Sequence, residues 1–371
     1  MIVEDWLYAV LRGQPAPWKA LAEPGTALLA TCDALEASEL LHHHVKRNPA
    51  TCDWPDDVRR ELERRTHAST ARQLVRTAEI ADVLHALASH GIHPIVFKGA
   101  ALSHVVYDSP GLRPHTDTDL FVRRSNVDSV REILTERGYT EPLMTGGELV
   151  FCQFQMMKTD RVGIRHVFDI HWKISTQSLF ADLLAYDELD ADAVPVAALG
   201  SHGRAAGGSY ALLIACIHPV MHHRNVDRLI WQHDIHLLLQ QLPTVDVRRF
   251  ASLAVSRGVA GICARQIALV SERFHTSVPD DVLSTLSAAS KREPSAIFLR
   301  QGRRWHHEMV WNVRGLSRWG DRLRLLREVL FPAPQYMLDS YHLGGIGVLL
   351  LPVLYLHRSL YGAFKIVVGW K

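Results

Sequence analysis

The sequence of 371 residues has few cysteines, and no two of them lie close together along the chain. There are five, an odd number, and none belongs to a CxxC motif. This distribution argues against a disulfide framework and indicates a reducing compartment, so we expect a cytoplasmic protein. The cysteines are Cys32, Cys52, Cys152, Cys216 and Cys263.

The chain also lacks an excess of charge of either sign. Its formal net charge is +2, so the field of the whole molecule favours no particular class of partner. Hydrophobic residues make up 47% of the chain and charged residues 22%, which is typical of a globular protein. The length is sufficient for two domains and a sizeable core.

The sequence gives no sign of a membrane-spanning segment. The apolar run LGGIGVLLLPVLYL at 343–356 has 14 residues, whereas a spanning helix needs about 20. We therefore expect a buried terminal helix that Pro352 kinks. The first residues, MIVEDWLYAVLRG, carry two acids and no basic region, so no signal peptide is expected. A membrane partner is not expected, and the oligomeric state is left open.

Periodicity and turn residues divide the chain into three parts. Residues 1–65 contain short helical patterns separated by proline and glycine, which predicts a helical N-terminal segment. Residues 66–200 mix helical and strand patterns and form the expected catalytic domain. The glycine-rich segment GSHGRAAGGS at 200–209 is interpreted as a linker. Only helical periodicity follows it, which predicts a helical C-terminal domain over 201–371.

The central part predicts an ordered series of helices and strands. A helix over 71–90 precedes a short strand at 94–97, and the chain then turns at a Lys-Gly pair into another helix. Two apolar stretches at 148–158 and 163–173, separated by the turn TDRVG, predict a hairpin. The apolar positions of the first helix are Leu74, Ile80, Val83, Leu84 and Leu87.

Two carboxylates open a strand in the sequence DTDLFV, at Asp117 and Asp119. Residues i and i+2 of a strand point to the same face, so these like charges stand side by side. Such a pair is unfavourable unless a cation lies between the two groups or one of them is protonated. The strand therefore predicts a divalent metal site.

A third carboxylate, Asp169, lies in the middle of an apolar strand. A buried carboxylate without a partner is costly. Asp169 is therefore expected either to accept backbone hydrogen bonds or to join Asp117 and Asp119. Strand alternation places His171 on the same face as Asp169.

These motifs resemble the nucleotidyltransferase fold of the DNA polymerase β superfamily. More closely, they resemble a bacterial family of uncharacterised nucleotidyltransferases. The resemblance spans roughly residues 70–340 and implies an α+β fold, a nucleotidyltransferase-type mixed sheet flanked by helices. It is carried by Lys98-Gly99, RPHTDTDLFV (113–122) and DIHW (169–172), and in the helical half by CIHPVMHH, RLIWQHDI and FPAPQYML.

The resemblance implies that three carboxylates act as catalytic residues and bind two Mg²⁺ (or Mn²⁺) ions. The acceptor would attack the α-phosphate of an NTP such as ATP, and pyrophosphate would leave. Metals suit this reaction because they clamp the attacking and leaving oxygens and neutralise developing charge. The implied ligands are Asp117, Asp119 and Asp169.

Four further residues are implied at the nucleotide site. Lys98 would place a charge on the triphosphate, and Gly99 would let backbone N–H groups approach it. Arg113 is expected either to steady a phosphate or to anchor its own loop. His171 is expected to orient a carboxylate, to act as a base toward the acceptor, or to be structural. The turn departs from the wider superfamily, since Ala100 replaces a serine or glycine there.

Two histidine and arginine patterns allow alternatives. His218 and His222 have zinc-ligand spacing on a helix, but the sequence offers no nearby third ligand, and the resemblance makes 218–234 a wall of the nucleotide cleft. A basic stretch is interpreted either as a solvated helix face or as a contact for a polyanion. Its eight arginines are Arg300, Arg303, Arg304, Arg314, Arg318, Arg322, Arg324 and Arg327.

Three functions follow from these alternatives. The first is a Mg²⁺-dependent nucleotidyltransferase with a small-molecule or peptide acceptor, because helical geometry scatters the arginines. The second is a scaffold that binds a nucleotide or a partner without catalysis. The third is a toxin-like enzyme that nucleotidylates tRNA, for which the basic stretch would be the nucleic-acid site.

Overall fold

The computed structural model describes residues 3–15, 17–21, 25–47, 53–143, 147, 149, 152–290, 293–300, 302–343 and 345–368. Cys52 and residues 148, 150 and 151 of the predicted hairpin lie outside these ranges.

Helices dominate the described chain. The α-helices are α1 (Val3–Leu11), α2 (Gly25–Leu35), α3 (Ser38–Arg47), α4 (Asp56–Ala88), α5 (Lys98–Val105), α6 (Val127–Glu136), α7 (Ser178–Ala181), α8 (Tyr186–Ala191), α9 (Gly208–His223), α10 (Leu229–Gln241), α11 (Thr244–Ser256), α12 (Ala260–Phe274), α13 (Asp280–Ser290), α14 (Trp305–Gly315), α15 (Trp319–Leu330), α16 (Pro334–Ser340) and α17 (Leu351–Val368). Short 3-10 helices lie at Trp18–Ala20, Pro110–Leu112, Arg124–Asn126, Ala197–Leu199, Pro294–Leu299 and Gly345–Leu350.

One mixed sheet of six strands lies at the centre of the fold. Its order is β3-β4-β2-β1-β6-β5. The β2–β4 and β1–β6 pairs are parallel, and the other neighbours are antiparallel. This confirms the expected α+β class and mixed sheet. The strands are β1 (Ile95–Phe97), β2 (Thr118–Phe121), β3 (Gln153–Thr159), β4 (Arg165–His171), β5 (Val194–Pro195) and β6 (Arg204–Ala205).

One face of the sheet is apolar and packs against α4 and α6. Val96, Leu120 and Ile170 point to this face and are fully buried there. The helices contribute side chains that recur at helical spacing, such as Val83 and Val130. Strand alternation sends the neighbouring residues of β2 and β4 to the opposite face.

The opposite face carries the polar residues of the predicted site and is covered by the helical half. Ile95, Phe97 and Phe121 lie on this face and join a core that includes Leu213 of α9 and Ile235 of α10. The described part of 210–368 contains no strand. The expected helical character of the C-terminal half is therefore confirmed for the described residues, and α9 and α10 pack over the carboxylate-bearing face.

The helix before β1 is longer than the sequence predicts. A separate short helix was expected before residue 65 and a second one over 71–90, but α4 runs through both as one helix of 33 residues. No proline or glycine interrupts it, and Glu61 bonds both Arg64 and Arg65 along its surface. The expected boundary at residue 65 thus falls within a helix. Leu74 is 65% exposed, so its assignment to the apolar face was wrong.

The glycine-rich segment at 200–209 is part of the sheet. Its β6 strand pairs with β1, where Ala205 lies opposite Val96, and with β5. Glycine is needed here for close approach, because a Cβ on Gly207 would lie 2.5 Å from the backbone oxygen of Asp192. The interpretation of this segment as a linker was therefore wrong at its centre, and the three-part domain division stays a prediction.

The apolar C-terminal run is largely exposed. Leu349 is 83% exposed and Val353 is 61% exposed, so the expectation of a buried terminal helix was wrong. The helix α17 is held by few contacts, among them Leu354, which is buried, and Tyr355, which bonds the Pro332 carbonyl. In the described ranges, no helix combines the length and apolarity needed to cross a bilayer.

We predict that Gly207→Ala destabilises the protein by about 1–3 kcal/mol, the usual cost of overpacking, because its new methyl group meets the backbone of Asp192. The control is Gly320→Ala in α15, where a Cβ meets nothing within 4 Å. That change should leave stability unchanged or raise it by up to about 1 kcal/mol, since alanine favours helix. Urea denaturation of both variants measures the difference, and equal midpoints would contradict the packing argument.

Candidate active site

Two buried carboxylates lie side by side on neighbouring parallel strands. The register pairs Asp119 of β2 directly with Asp169 of β4. Ligand atoms of Asp119, Asp169 and His171 lie within 4.8 Å of one another. Of the three acids expected to cluster, Asp119 and Asp169 therefore lie together on one face of the sheet, and the group with His171 does not include Asp117.

Asp117 lies one residue before β2, at the mouth of the site, with its side chain exposed. The cleft that surrounds it raises the pKa of its carboxyl by desolvation, and the charge of Asp119 raises it further. Asp117 in turn contributes to the raised pKa of Asp169. It is thus an electrostatic neighbour of the buried pair, and its role as a metal ligand stays a prediction.

Lys98 neutralises Asp119 in this structure. The residue stands where β1 turns into α5, and its backbone has a left-handed φ of 55°. Such a φ is uncommon for a residue with a side chain and often marks a tight turn or a functional site. Its ammonium donates to Asp119 Oδ1 at 2.6 Å. The ammonium of Lys98 therefore contacts the carboxylate of Asp119, at the place where the sequence predicts a triphosphate contact.

Hydrogen bonds from two side chains fix the carboxylates. His171 is fully buried, and its Nε2 lies 2.8 Å from Asp119 Oδ1. A carboxylate only accepts, so Nε2 carries the proton of this bond. Gln155 of β3 donates to Asp169 Oδ1 at 2.9 Å. Burial, followed by the charge of Lys98, lowers the pKa of His171, so the ring is neutral in this structure.

The two carboxyl groups differ in proton affinity. Burial opposes ionisation of Asp119, but Lys98 and the His171 hydrogen bond outweigh it, and its pKa is lowered. Burial and the charge of Asp119 raise the pKa of Asp169 to about 6. One acid is thus firmly ionised while the other resists ionisation beside it. This is the arrangement in which a nearby cation is favourable.

A cavity of about 400 Å³, within the size range of small-molecule sites, is lined by Asp117 and by Asp119 of the buried pair. Its floor includes Lys98, Gly99, Asp117 and Asp119. One wall is formed by α4, and the facing wall is formed by α9 and α10. The lining residues of α9, α10 and the turn between them include Ile214, His218, His223, Arg228, Trp231 and Asp234.

Histidines of α9 lie close to the carboxylate site. His218 and His222 pack with ring centroids 5.5 Å apart, and His218 also packs edge-on against Trp231. Burial, and next the charge of Lys98, lowers the pKa of both rings, to about 3 for His222. Both rings are therefore neutral, and His218 lines the cavity, which agrees with the expected position of residues 218–234.

The family described as uncharacterised nucleotidyltransferase matches residues 24–275 of the sequence, which is more than half of the chain. The chain belongs to this nucleotidyltransferase family. No curated protein matches the chain. The protein is thus a nucleotidyltransferase, a transferase enzyme, and the nucleotide and acceptor are the open questions.

Arg113 of this nucleotidyltransferase is committed to a buried ion pair. Its Nε and Nη2 donate to both oxygens of Asp234 on α10, at 2.9–3.1 Å. Tyr107 donates to Asp234 Oδ1 at 2.7 Å. Arg113 also explains Gly99, since a Cβ there would lie 3.3 Å from the guanidinium Nη2. Arg113 thus holds its loop against α10, and a phosphate contact stays a prediction.

Sequence reasoning missed the α4 wall of the nucleotidyltransferase. Ser69, Arg72, Gln73 and Arg76 line the cavity. Their spacing of three, four and seven residues is a signal that they share a helix face. That signal alone does not separate a site from a solvated surface, because the sequence does not say what the face meets.

The basic stretch lies apart from the cavity of the nucleotidyltransferase. None of its eight arginines is among the described residues that line the cavity. Arg303 is buried, where it donates to the Val220 carbonyl, and Arg322 donates to the Leu316 carbonyl. Arg324 pairs with Glu328. These contacts are structural, which favours the interpretation of the stretch as a helix surface.

We predict that Asp234→Ala destabilises the nucleotidyltransferase by about 3–5 kcal/mol, because it leaves the Arg113 charge buried and unpaired. The control is Asp281→Ala, whose partner Arg248 is exposed, and it should leave the urea midpoint unchanged. The double variant Arg113→Leu with Asp234→Leu should recover part of the loss. A double variant less stable than Asp234→Ala would mean that the unpaired charge is not the cause.

Proposed function

We propose that this nucleotidyltransferase moves a nucleoside monophosphate from an NTP to a small-molecule or peptide acceptor, with Mg²⁺ or Mn²⁺ as its cofactor. The observation that supports this most strongly is the buried pair of Asp119 and Asp169, of which Asp119, together with Asp117, lines a cavity of about 400 Å³. The catalytic residues in this proposal are Asp117, Asp119 and Asp169.

The donor set fits a hard divalent cation. Asp119 and Asp169 offer carboxylate oxygens, which Mg²⁺ prefers, and Asp117 lies beside them. The three carboxylates outnumber the one ammonium of Lys98, and burial, followed by the charges of Asp119 and Asp117, raises the pKa of Asp169. Bound Mg²⁺ would supply charge neutralisation at the α-phosphate and at the leaving pyrophosphate.

The protein's own groups have separate tasks in this proposal. His171 is a positioning residue, because its hydrogen bond fixes the orientation of Asp119. Lys98 lines the cavity and brings a mobile positive charge for a phosphate oxygen. The N-cap residue of α5, Phe97, makes no side-chain hydrogen bond to the first turn of this helix in the described chain. The N–H groups of that turn, beginning at Lys98 and Gly99, therefore suit a phosphate.

The position of the basic stretch supports a compact acceptor. The arginines between 300 and 327 do not line the described cavity, so a polyanion bound along them would not reach the carboxylates through these side chains. A nucleic-acid acceptor would also make activity strongly dependent on salt. We therefore favour a small molecule or a peptide, and a weak salt dependence is the expected behaviour.

We predict that incubation with α-labelled NTPs, Mg²⁺ and cell extract transfers label to an acceptor, and that Asp119→Asn and Asp169→Asn each reduce transfer. The loss should be about 100-fold or more, because metal stabilisation of the transferring group is worth several kcal/mol. The matched control is Asp128→Asn on α6, an exposed acid paired with Arg131. Full transfer by both active-site variants would contradict the assignment.

A binding measurement separates the metal site from the choice of acceptor. Mn²⁺ should raise the thermal unfolding temperature of the parent protein and of Asp128→Asn, since a ligand that binds only the folded state stabilises it. Asp119→Asn should show little or no such rise. A shift of equal size in all three proteins would place the cation elsewhere.

A further inference from the structure

The α4 wall of the cavity is basic and has no task in the mechanism above. Arg72 and Arg76 stand one helical turn apart and both line the cavity. The amide of Gln73, which lies between them, already donates a hydrogen bond to the His115 carbonyl at 3.0 Å. The guanidinium groups of Arg72 and Arg76 are therefore the charged groups of this wall that have no role in the mechanism above.

Neither arginine forms an ion pair or a hydrogen bond with a residue that the structure describes. Other arginines of the same helix behave differently, since Arg64 and Arg65 both bond Glu61. The Nε of Arg76 is buried and has no partner. A buried donor left without a partner is costly, so this arrangement favours a ligand that accepts hydrogen bonds.

The electrostatic surroundings also point to an anion. Arg72 and Arg76 repel each other across one helical turn. The charge of Asp117 acts on Arg76, and the charge of Arg72 acts on Glu39. No ion pair within 4.0 Å joins either acid to either arginine in the described chain. An anion between the two guanidinium groups would relieve their repulsion.

The facing wall has a different character. The rings of Trp231 and His223 pack together with their centroids 4.4 Å apart, and the guanidinium of Arg228 lies over the indole of Trp231. Ile214 adds an aliphatic side chain to this side. The cavity thus combines a basic wall with an aromatic and apolar wall, which suits a ligand with a phosphate end and a planar or apolar end.

We propose that Arg72 and Arg76 form a binding site for the phosphate groups of a cavity ligand, an inference that rests on the function proposed above. Guanidinium groups suit this role because they present paired N–H donors to phosphate oxygens. The phosphate belongs either to the triphosphate of the NTP or to an anionic acceptor.

Binding of inorganic tripolyphosphate, measured by calorimetry without metal at fixed ionic strength, tests the site. Arg72→Gln and Arg76→Gln should each weaken binding by about 10-fold or more, as expected for loss of a charge-assisted hydrogen bond, and the double variant should weaken it further. The matched control is Arg60→Gln, an exposed arginine of the same helix, which should bind as the parent does. This result assigns the site to the NTP triphosphate.

A second arm detects an acceptor phosphate. Inorganic phosphate is titrated into protein saturated with a non-hydrolysable NTP analogue. If tripolyphosphate binding is unchanged in the variants but this phosphate binding is lost, the arginines serve the acceptor. If both probes bind the variants as they bind the parent, the proposal is wrong. Circular dichroism of each variant checks that the fold is intact.

The same assay separates this inference from the proposed function. Asp119→Asn removes a carboxylate, so it should not weaken metal-free tripolyphosphate binding. Arginine-dependent binding without any label transfer would support the phosphate site while contradicting the proposed reaction. Label transfer with arginine-independent binding of both probes would overturn the phosphate site and keep the reaction.

Discussion

The structure depends on holding two carboxylates in register on adjacent parallel strands. The β2–β4 pairing places Asp119 beside Asp169, and strand alternation directs both side chains to the face opposite Leu120 and Ile170, which the helical half covers. Like charges so close are unfavourable in a buried setting. Lys98 and His171 offset this repulsion because both donate hydrogen bonds to the same oxygen, Oδ1, of Asp119. Asp169 accepts a hydrogen bond from the amide of Gln155, but burial and the charge of Asp119 still raise its pKa.

A second buried charge pair, Arg113 with Asp234, holds the helical half of the chain over this site. Arg113 precedes β2 in the chain and bonds Asp234 on α10, so the loop that leads to the carboxylates is tied to the helical half. A pair of this kind adds little net stability compared with apolar residues, but it fixes geometry, since breaking it leaves a charge unpaired. The cavity lies beside this pair, between α4 on one side and α9 and α10 on the other. Its shape is thus linked to one polar contact between distant parts of the sequence.

The local part of this design could be predicted from the sequence, and the non-local part could not. Strand parity alone places Asp119, Asp169 and His171 on one face, because side chains alternate with a period of two. The partner of Arg113 lies 121 residues away and leaves no local pattern. The length of α4 was missed because the polar segment at 66–70 resembles a break between two helices, although it is helical and its Ser69 lines the cavity. The exposure of α17 was missed because an apolar sequence does not reveal whether a covering surface exists.

The floor of the cavity carries an excess of negative charge, and its α4 wall carries an excess of positive charge. The floor holds Asp117, Asp119 and the ammonium of Lys98, with Asp169 beside Asp119, while the α4 wall holds two guanidinium groups without ion-pair partners in the described chain. A simple anion would satisfy the wall but not the floor, and a simple cation would do the reverse. A metal–polyphosphate complex carries both signs and would offset both imbalances at once. Under the proposed function, a metal–nucleotide substrate would therefore balance the charges of both sides of the cavity.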